Sequence, residues 1–79
     1  MKITLKYFGM IAEALAKQEE VLSVEQSQTV SDLRNQLEKT YPKLKSIDYR
    51  IAVNQTLVES NYSIQSDSEV ALLPPFAGG

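Results

Sequence analysis

The chain has 79 residues, 43% hydrophobic and 23% charged, which suits one small globular domain and is too apolar for a disordered chain. It contains no Cys and no His, so disulfides, zinc-thiolate sites, cysteine nucleophiles and the Ser-His-Asp and Cys-His catalytic arrangements are excluded. Eight basic residues against ten acidic ones give a net charge of −2, which argues against a nucleic-acid binder working by phosphate neutralisation. The apolar runs are too short to span a membrane, and Lys6 interrupts the apolar stretch that a signal peptide would need. These features disfavour an independent enzyme and leave a binding or carrier module, expected to be cytoplasmic.

The opening segment alternates, with Ile3, Leu5 and Tyr7 on one face and Lys2, Thr4 and Lys6 on the other, so a half-buried strand is predicted over Lys2 to Phe8. Gly9 permits a sharp exit from it. A short helix follows over Met10 to Lys17, with Met10, Ile11, Ala14 and Leu15 at one-face spacing. Glu20 to Val24 reads as a second strand, with Leu22 and Val24 sharing a face. Nearby Glu19, Glu20 and Glu25 read as solvated rather than metal-binding. The clearest helix starts at Thr29, whose hydroxyl can accept the N–H of Asp32, although Asp is shorter than the Glu that best completes a capping box. Its apolar stripe is Val30, Leu33, Leu37 and Tyr41, and Pro42 stops it near Thr40.

Tyr49 to Val53 is the third strand, Asn54-Gln55 a tight turn and Thr56 to Val58 a short fourth strand. Lys39, Lys43, Lys45 and Arg50 flank this region and read as a solvated face around a helix C-terminus. Glu59 to Ser68 is polar except for Tyr62 and Ile64, which are expected to pin it to the core. Glu69 to Leu73 is the fifth strand, apolar on both faces, which suits a central position or cover on both sides. The predicted domain is therefore α+β: a mixed five-stranded sheet packed on one main helix, with a short extra helix after the first strand. Placing the apolar first and last strands side by side gives the ubiquitin-like β-grasp fold over residues 1–73.

Residues 74–79 are expected to form an extended, flexible C-terminal tail. Pro74 and Pro75 cannot donate to a ladder and hold the chain near polyproline II geometry. The residues after Pro74 reach roughly 17 Å at about 3.3–3.6 Å each when extended. Phe76 is a candidate anchor, and Ala77, Gly78 and Gly79 are small enough for a narrow channel to close around them. The α-carboxylate of Gly79 is unreactive as it stands. Adenylation with ATP by another enzyme would make it an electrophile, and attack by a sulfur donor would leave a C-terminal thiocarboxylate. In a chain without Cys, Gly79 is the position that could carry sulfur on an acyl link. Terminal Gly-Gly alone, or Pro-Pro alone, is ordinarily a disordered end or a strand terminator; the combination on this compact pattern points to function.

Four segments carry a resemblance over the whole chain: Leu5-Lys6-Tyr7-Phe8-Gly9, Ala52-Val53-Asn54-Gln55-Thr56-Leu57-Val58, Asp67-Ser68-Glu69-Val70-Ala71-Leu72-Leu73, and Pro74-Pro75-Phe76-Ala77-Gly78-Gly79. Together the sequence resembles the small, sulfur-carrying subunits of molybdopterin synthases. The resemblance implies a non-catalytic subunit with no bound cofactor. An ubiquitin-activating-type adenylyltransferase would activate Gly79 with ATP, and a sulfur donor would convert it to the thiocarboxylate. The tail would then enter the large synthase subunit, within a heterotetramer, and give sulfur to cyclic pyranopterin monophosphate to build the molybdopterin dithiolene. The resemblance also implies that Phe8, Pro74, Pro75, Phe76, Ala77 and Gly78 contact partners, with neither nucleic acid nor membrane among them. For Phe8, packing in the core or at a strand edge is an equal reading. Two departures stand out: Ala12 precedes Glu13 where the family often has Arg, and Ser68 follows Asp67 in a turn that usually includes Gly. The same tail chemistry would serve a sulfur carrier for thiazole synthesis or tRNA thiolation, or a modifier joined to lysine. A β-grasp interaction module with an inert tail is a further alternative.

Overall fold

In the computed structural model, residues 1–24 and 28–75 are described. The element order is β1 (Lys2–Tyr7), α1 (Gly9–Leu15), β2 (Glu19–Ser23), β3 (Gln28–Thr29), α2 (Val30–Thr40), a 3-10 helix (Pro42–Ser46), β4 (Arg50–Val53), β5 (Thr56–Leu57), β6 (Ser63–Ile64) and β7 (Glu69–Leu73). Five strands form one mixed sheet in the order β2-β1-β7-β4-β5, with β1 and β7 parallel at its centre and the other pairs antiparallel. This is the predicted α+β architecture, with two small additions: β3 and β6 make a separate two-stranded ribbon, and the 3-10 helix follows α2.

Register explains the core. Leu5 lies beside Val70 and Tyr7 beside Leu72 across the parallel pair, while Val53 and Ile51 face Val70 and Leu72 from β4. These side chains share the sheet face that α2 covers with Val30, Leu33 and Leu37, and all of them are buried. Helix α2 starts where the local chemistry dictates. Asp32 N–H donates to Thr29 Oγ1 at 3.2 Å and Thr29 N–H donates to Asp32 Oδ2 at 3.1 Å, so the reciprocal bond closes despite the shorter Asp. It ends at Thr40, immediately before Tyr41 and Pro42.

Several expectations need correcting. Met10 does not join the buried stripe of α1; Ile11 and Leu15, four residues apart, are buried and Met10 is exposed. Tyr62 does not pin the β5–β6 connection with its ring, which is exposed; its carbonyl does the work, accepting from Val30 N–H at 2.9 Å, while Ile64 supplies the buried side chain. Glu20 is more than a solvated carboxylate. It pairs with Leu5 across β1 and β2, so it lies on the inner face of an edge strand. There Glu20 Oε2 accepts from the hydroxyls of Tyr7 and, at 2.7 Å, Tyr41. Lys17 Nζ stands 3.6 Å from Glu20 Oε1. Strand β7 is central, but one of its faces is open: Val70 and Leu72 are fully buried whereas Ala71 and Leu73 are only half-buried.

Candidate functional site

The outer face of the sheet, away from α2, carries the open apolar surface. Ala71 and Leu73 of β7, Ala52 of β4, Thr56 and Leu57 of β5, and Phe8 line a groove of about 650 Å³. Phe8 and Leu57 expose 45% and 47% of their surface. Phe8 is placed there by the β1–α1 corner. It is the extended N-cap residue of α1, with φ −126° and ψ 152°, and its N–H donates to the Leu72 carbonyl at 3.3 Å. Its ring thus flanks the face that carries Leu73 instead of entering the core.

The groove's floor is fixed at the end where β7 begins. Asn54 and Gln55 turn β4 into β5 with φ of +50° and +71°, a left-handed pair matching the twist of a tight hairpin. Asn54 also ties this hairpin to β7: its N–H donates to the Glu69 carbonyl at 2.8 Å and its Oδ1 accepts from Glu69 N–H at 3.0 Å. At the rim Lys6 Nζ pairs with Glu69 at 3.5 Å. The turn before β7 shows how this chain does without the usual glycine. Asp67 takes a φ of +64° itself, and buried Ser68 donates its hydroxyl to the Gln65 carbonyl at 2.7 Å.

The tail leaves from the opposite end of the sheet, where β7 ends beside the β1–α1 corner. Pro74 and Pro75 are half-buried, and a Cβ built on Gly9 would lie 3.0 Å from Pro74 Cγ, so Pro74 sits against the β1–α1 corner. Phe76, Ala77, Gly78 and Gly79 lie outside the described residues. On the other side of that corner Lys6, Phe8, Gly9, Ala12, Glu13 and Glu19 line a cleft of about 580 Å³, with Ala12 half-buried and Glu13 exposed. Sequence reasoning singled out Phe8 but not Leu57. The signal was available: Leu57 follows a tight turn and opposes Ala52, whose outward neighbours on β7 are apolar.

Charged groups outside the groove serve the fold. Burial pushes the Tyr7 phenol above its ordinary value of 10.0, and the Glu20 carboxylate reinforces this. Burial alone would raise Glu20, but the Tyr7 and Tyr41 hydroxyls and Lys17 outweigh it and hold Glu20 below the usual carboxylate value. Arg34 stacks over the Tyr49 ring at 4.7 Å, and the Tyr49 hydroxyl donates to Glu38 at 2.7 Å. Among the described residues no group of three or more acidic side chains is placed to hold a metal ion, and no helix is long and apolar enough to cross a membrane.

Comparison with known proteins adds to this geometry. The ThiS family matches residues 5–79. The molybdopterin synthase sulfur carrier subunit of Mycobacterium tuberculosis is 33% identical and aligns over 100% of this chain and 99% of its own length. A Pyrococcus furiosus protein assigned as molybdopterin converting factor subunit 1 superposes with a TM-score of 0.88 at 25% identity, covering 95% of this chain and 98% of the other. A chain from the Helicobacter pylori complex of molybdopterin-converting factor subunits 1 and 2 shares the fold, with a TM-score of 0.70 at 22% identity and 100% of both chains covered.

Proposed function

The chain belongs to the ThiS family, and on that premise we propose that it is the sulfur carrier subunit of a molybdopterin synthase, with Gly79 as the carrying residue. The observation that carries this reading is the end-to-end likeness, at 33% identity, to the Mycobacterium tuberculosis sulfur carrier subunit. The Gly79 carboxylate oxygen attacks the α-phosphorus of ATP on an adenylyltransferase, releasing pyrophosphate and leaving an acyl adenylate. A hydrosulfide-equivalent donor then attacks the acyl carbon, and AMP leaves. The resulting thiocarboxylate gives its sulfur to cyclic pyranopterin monophosphate in the large synthase subunit, and water restores the carboxylate. The chemistry belongs to the partners; this chain contributes the arm and the surfaces that deliver it.

Two features of the domain suit that task. Pro74 and Pro75 follow the end of β7 at Leu73 and have no N–H to offer its ladder. The groove around Phe8 and Leu57 lies where the tail departs, so one partner surface can hold the domain and receive Pro74, Pro75, Phe76, Ala77 and Gly78 together. The Helicobacter pylori complex of subunits 1 and 2 supports a large-subunit partner of this kind.

The test is which acceptor consumes the sulfur. Thiocarboxylated protein carrying labelled sulfur, mixed with a large synthase subunit and cyclic pyranopterin monophosphate, is expected to pass the label into a dithiolene product. Label retained there but released to a thiazole precursor or a tRNA, or a Gly79–lysine conjugate recovered from cell extract, would contradict the molybdopterin assignment.

A further inference from the structure

Parallel pairing brings the last residues of β1 and β7 to the same end of the sheet, with Tyr7 beside Leu72. The corner into α1 and the departure of the tail are therefore neighbours, and two contacts join them. Phe8 N–H donates to the Leu72 carbonyl. Gly9, at φ +56°, presents a bare α-carbon to Pro74, whose Cγ would lie 3.0 Å from a Cβ at that position. That is well inside the roughly 3.5–4.0 Å at which carbon atoms pack best.

The usual reason for glycine at positive φ is conformational. It is insufficient in this chain, because Ala16, Asn54, Gln55 and Asp67 all hold positive φ with a Cβ in place. What distinguishes Gly9 is the ring resting on it. Proline fixes its own φ, so seating the Pro74 ring fixes the direction of its Cα–C bond, from which the next peptide departs. We propose that Gly9 is a positioning residue for the carrier tail: its missing Cβ makes the seat for Pro74 that sets the direction in which residues beyond β7 leave the domain. This role rests on the carrier reading above. Gly9 touches no reacting atom and acts only through Pro74.

The experiment compares adenylation of the wild-type protein with that of Gly9→Ala, Pro74→Ala and the double variant, using the adenylyltransferase and ATP. Displacing the ring by a few tenths of an ångström is expected to lower kcat about tenfold for Gly9→Ala, with KM held within about twofold. Whatever Pro74→Ala itself costs, adding Gly9→Ala to it should cost less than about twofold, because the atom that collides is gone. Strain from Ala at positive φ is the same in both backgrounds. A loss that persists undiminished in the double variant, or a Gly9→Ala protein that matches wild type, overturns the proposal. The contact is also read without activity: wild-type protein should show a nuclear Overhauser effect between Gly9 Hα and Pro74 Hγ, and its absence overturns the seat even if Gly9→Ala does not fold. Wild-type protein that is never adenylated defeats the carrier reading and this role with it, whereas normal wild-type adenylation with an unaffected variant defeats this role alone.

Discussion

Glu20 is an acidic side chain at an inward position of an edge strand, where a carboxylate needs partners to be stable. Two phenols and Lys17 supply them, joining β1, β2 and the residue that caps α2. Hydrogen bonds to an ionised group contribute about 1.5–3 kcal/mol, so Glu20→Gln is expected to cost about 1–2 kcal/mol at neutral pH, measured by urea denaturation. Because the folded protein holds Glu20 below its ordinary value, this stabilisation is complete above the unfolded carboxylate value, near pH 4.3, and fades as pH falls through the lower folded value. The two proteins should therefore converge in stability in acid. Equal stability at pH 7, or a gap that widens below pH 4, would contradict the role given to Glu20. Tyr7 has the opposite dependence: burial, followed by Glu20, favours its neutral form, so stability should fall as pH rises past about 10.

Two elements are defined by very short stretches of chain. The capping box at Thr29 and Asp32 satisfies otherwise free amides of α2, and Thr29→Ala is expected to destabilise the domain by about 1 kcal/mol, a fall of roughly 4–8 °C in Tm by calorimetry. The β4–β5 turn holds Gln55 at φ +71°, where an L side chain is strained, so Gln55→Gly should stabilise by about 0.5–1 kcal/mol in the same assay. Both features were visible in the sequence, because a Thr-x-x-Asp box and an Asn-led turn are local signals. So was the alternation of Ile3, Leu5 and Tyr7, which sets the inward face of β1. The β3–β6 ribbon was not, since two-residue strands have no period to read and exist only where Gln28 meets Ile64 across the fold. Nor could the apolar Glu69–Leu73 run show that only one of its faces would be covered. Val70 and Ala71 look alike as sequence, and the single layer of helix decides between them.

For the molecule as a whole, one helical layer on a five-stranded sheet leaves an apolar outer face, and the tail leaves the fold beside it. The sequence pointed to Phe8 at this face through a resemblance, and the structure adds Leu57 because β5 pairs alongside β4 with Leu57 opposite Ala52. If a partner covers the face, burying an exposed leucine contributes about 1.5–3 kcal/mol. Leu57→Asp should then raise the Kd for the large synthase subunit at least about tenfold, read by titration calorimetry, while Tm stays within a few degrees of wild type. Unchanged affinity would show that the partner binds elsewhere.

On the proposed carrier reading, the acyl carbon of Gly79 is the group that works. Intact mass spectrometry after incubation with adenylyltransferase, ATP and a sulfur donor tests this most directly. The full-length protein should gain the mass of one sulfur replacing one oxygen, and a protein lacking Gly79 should remain folded and gain nothing. The same gain in the shortened protein, or none in the full-length one, would contradict the claim.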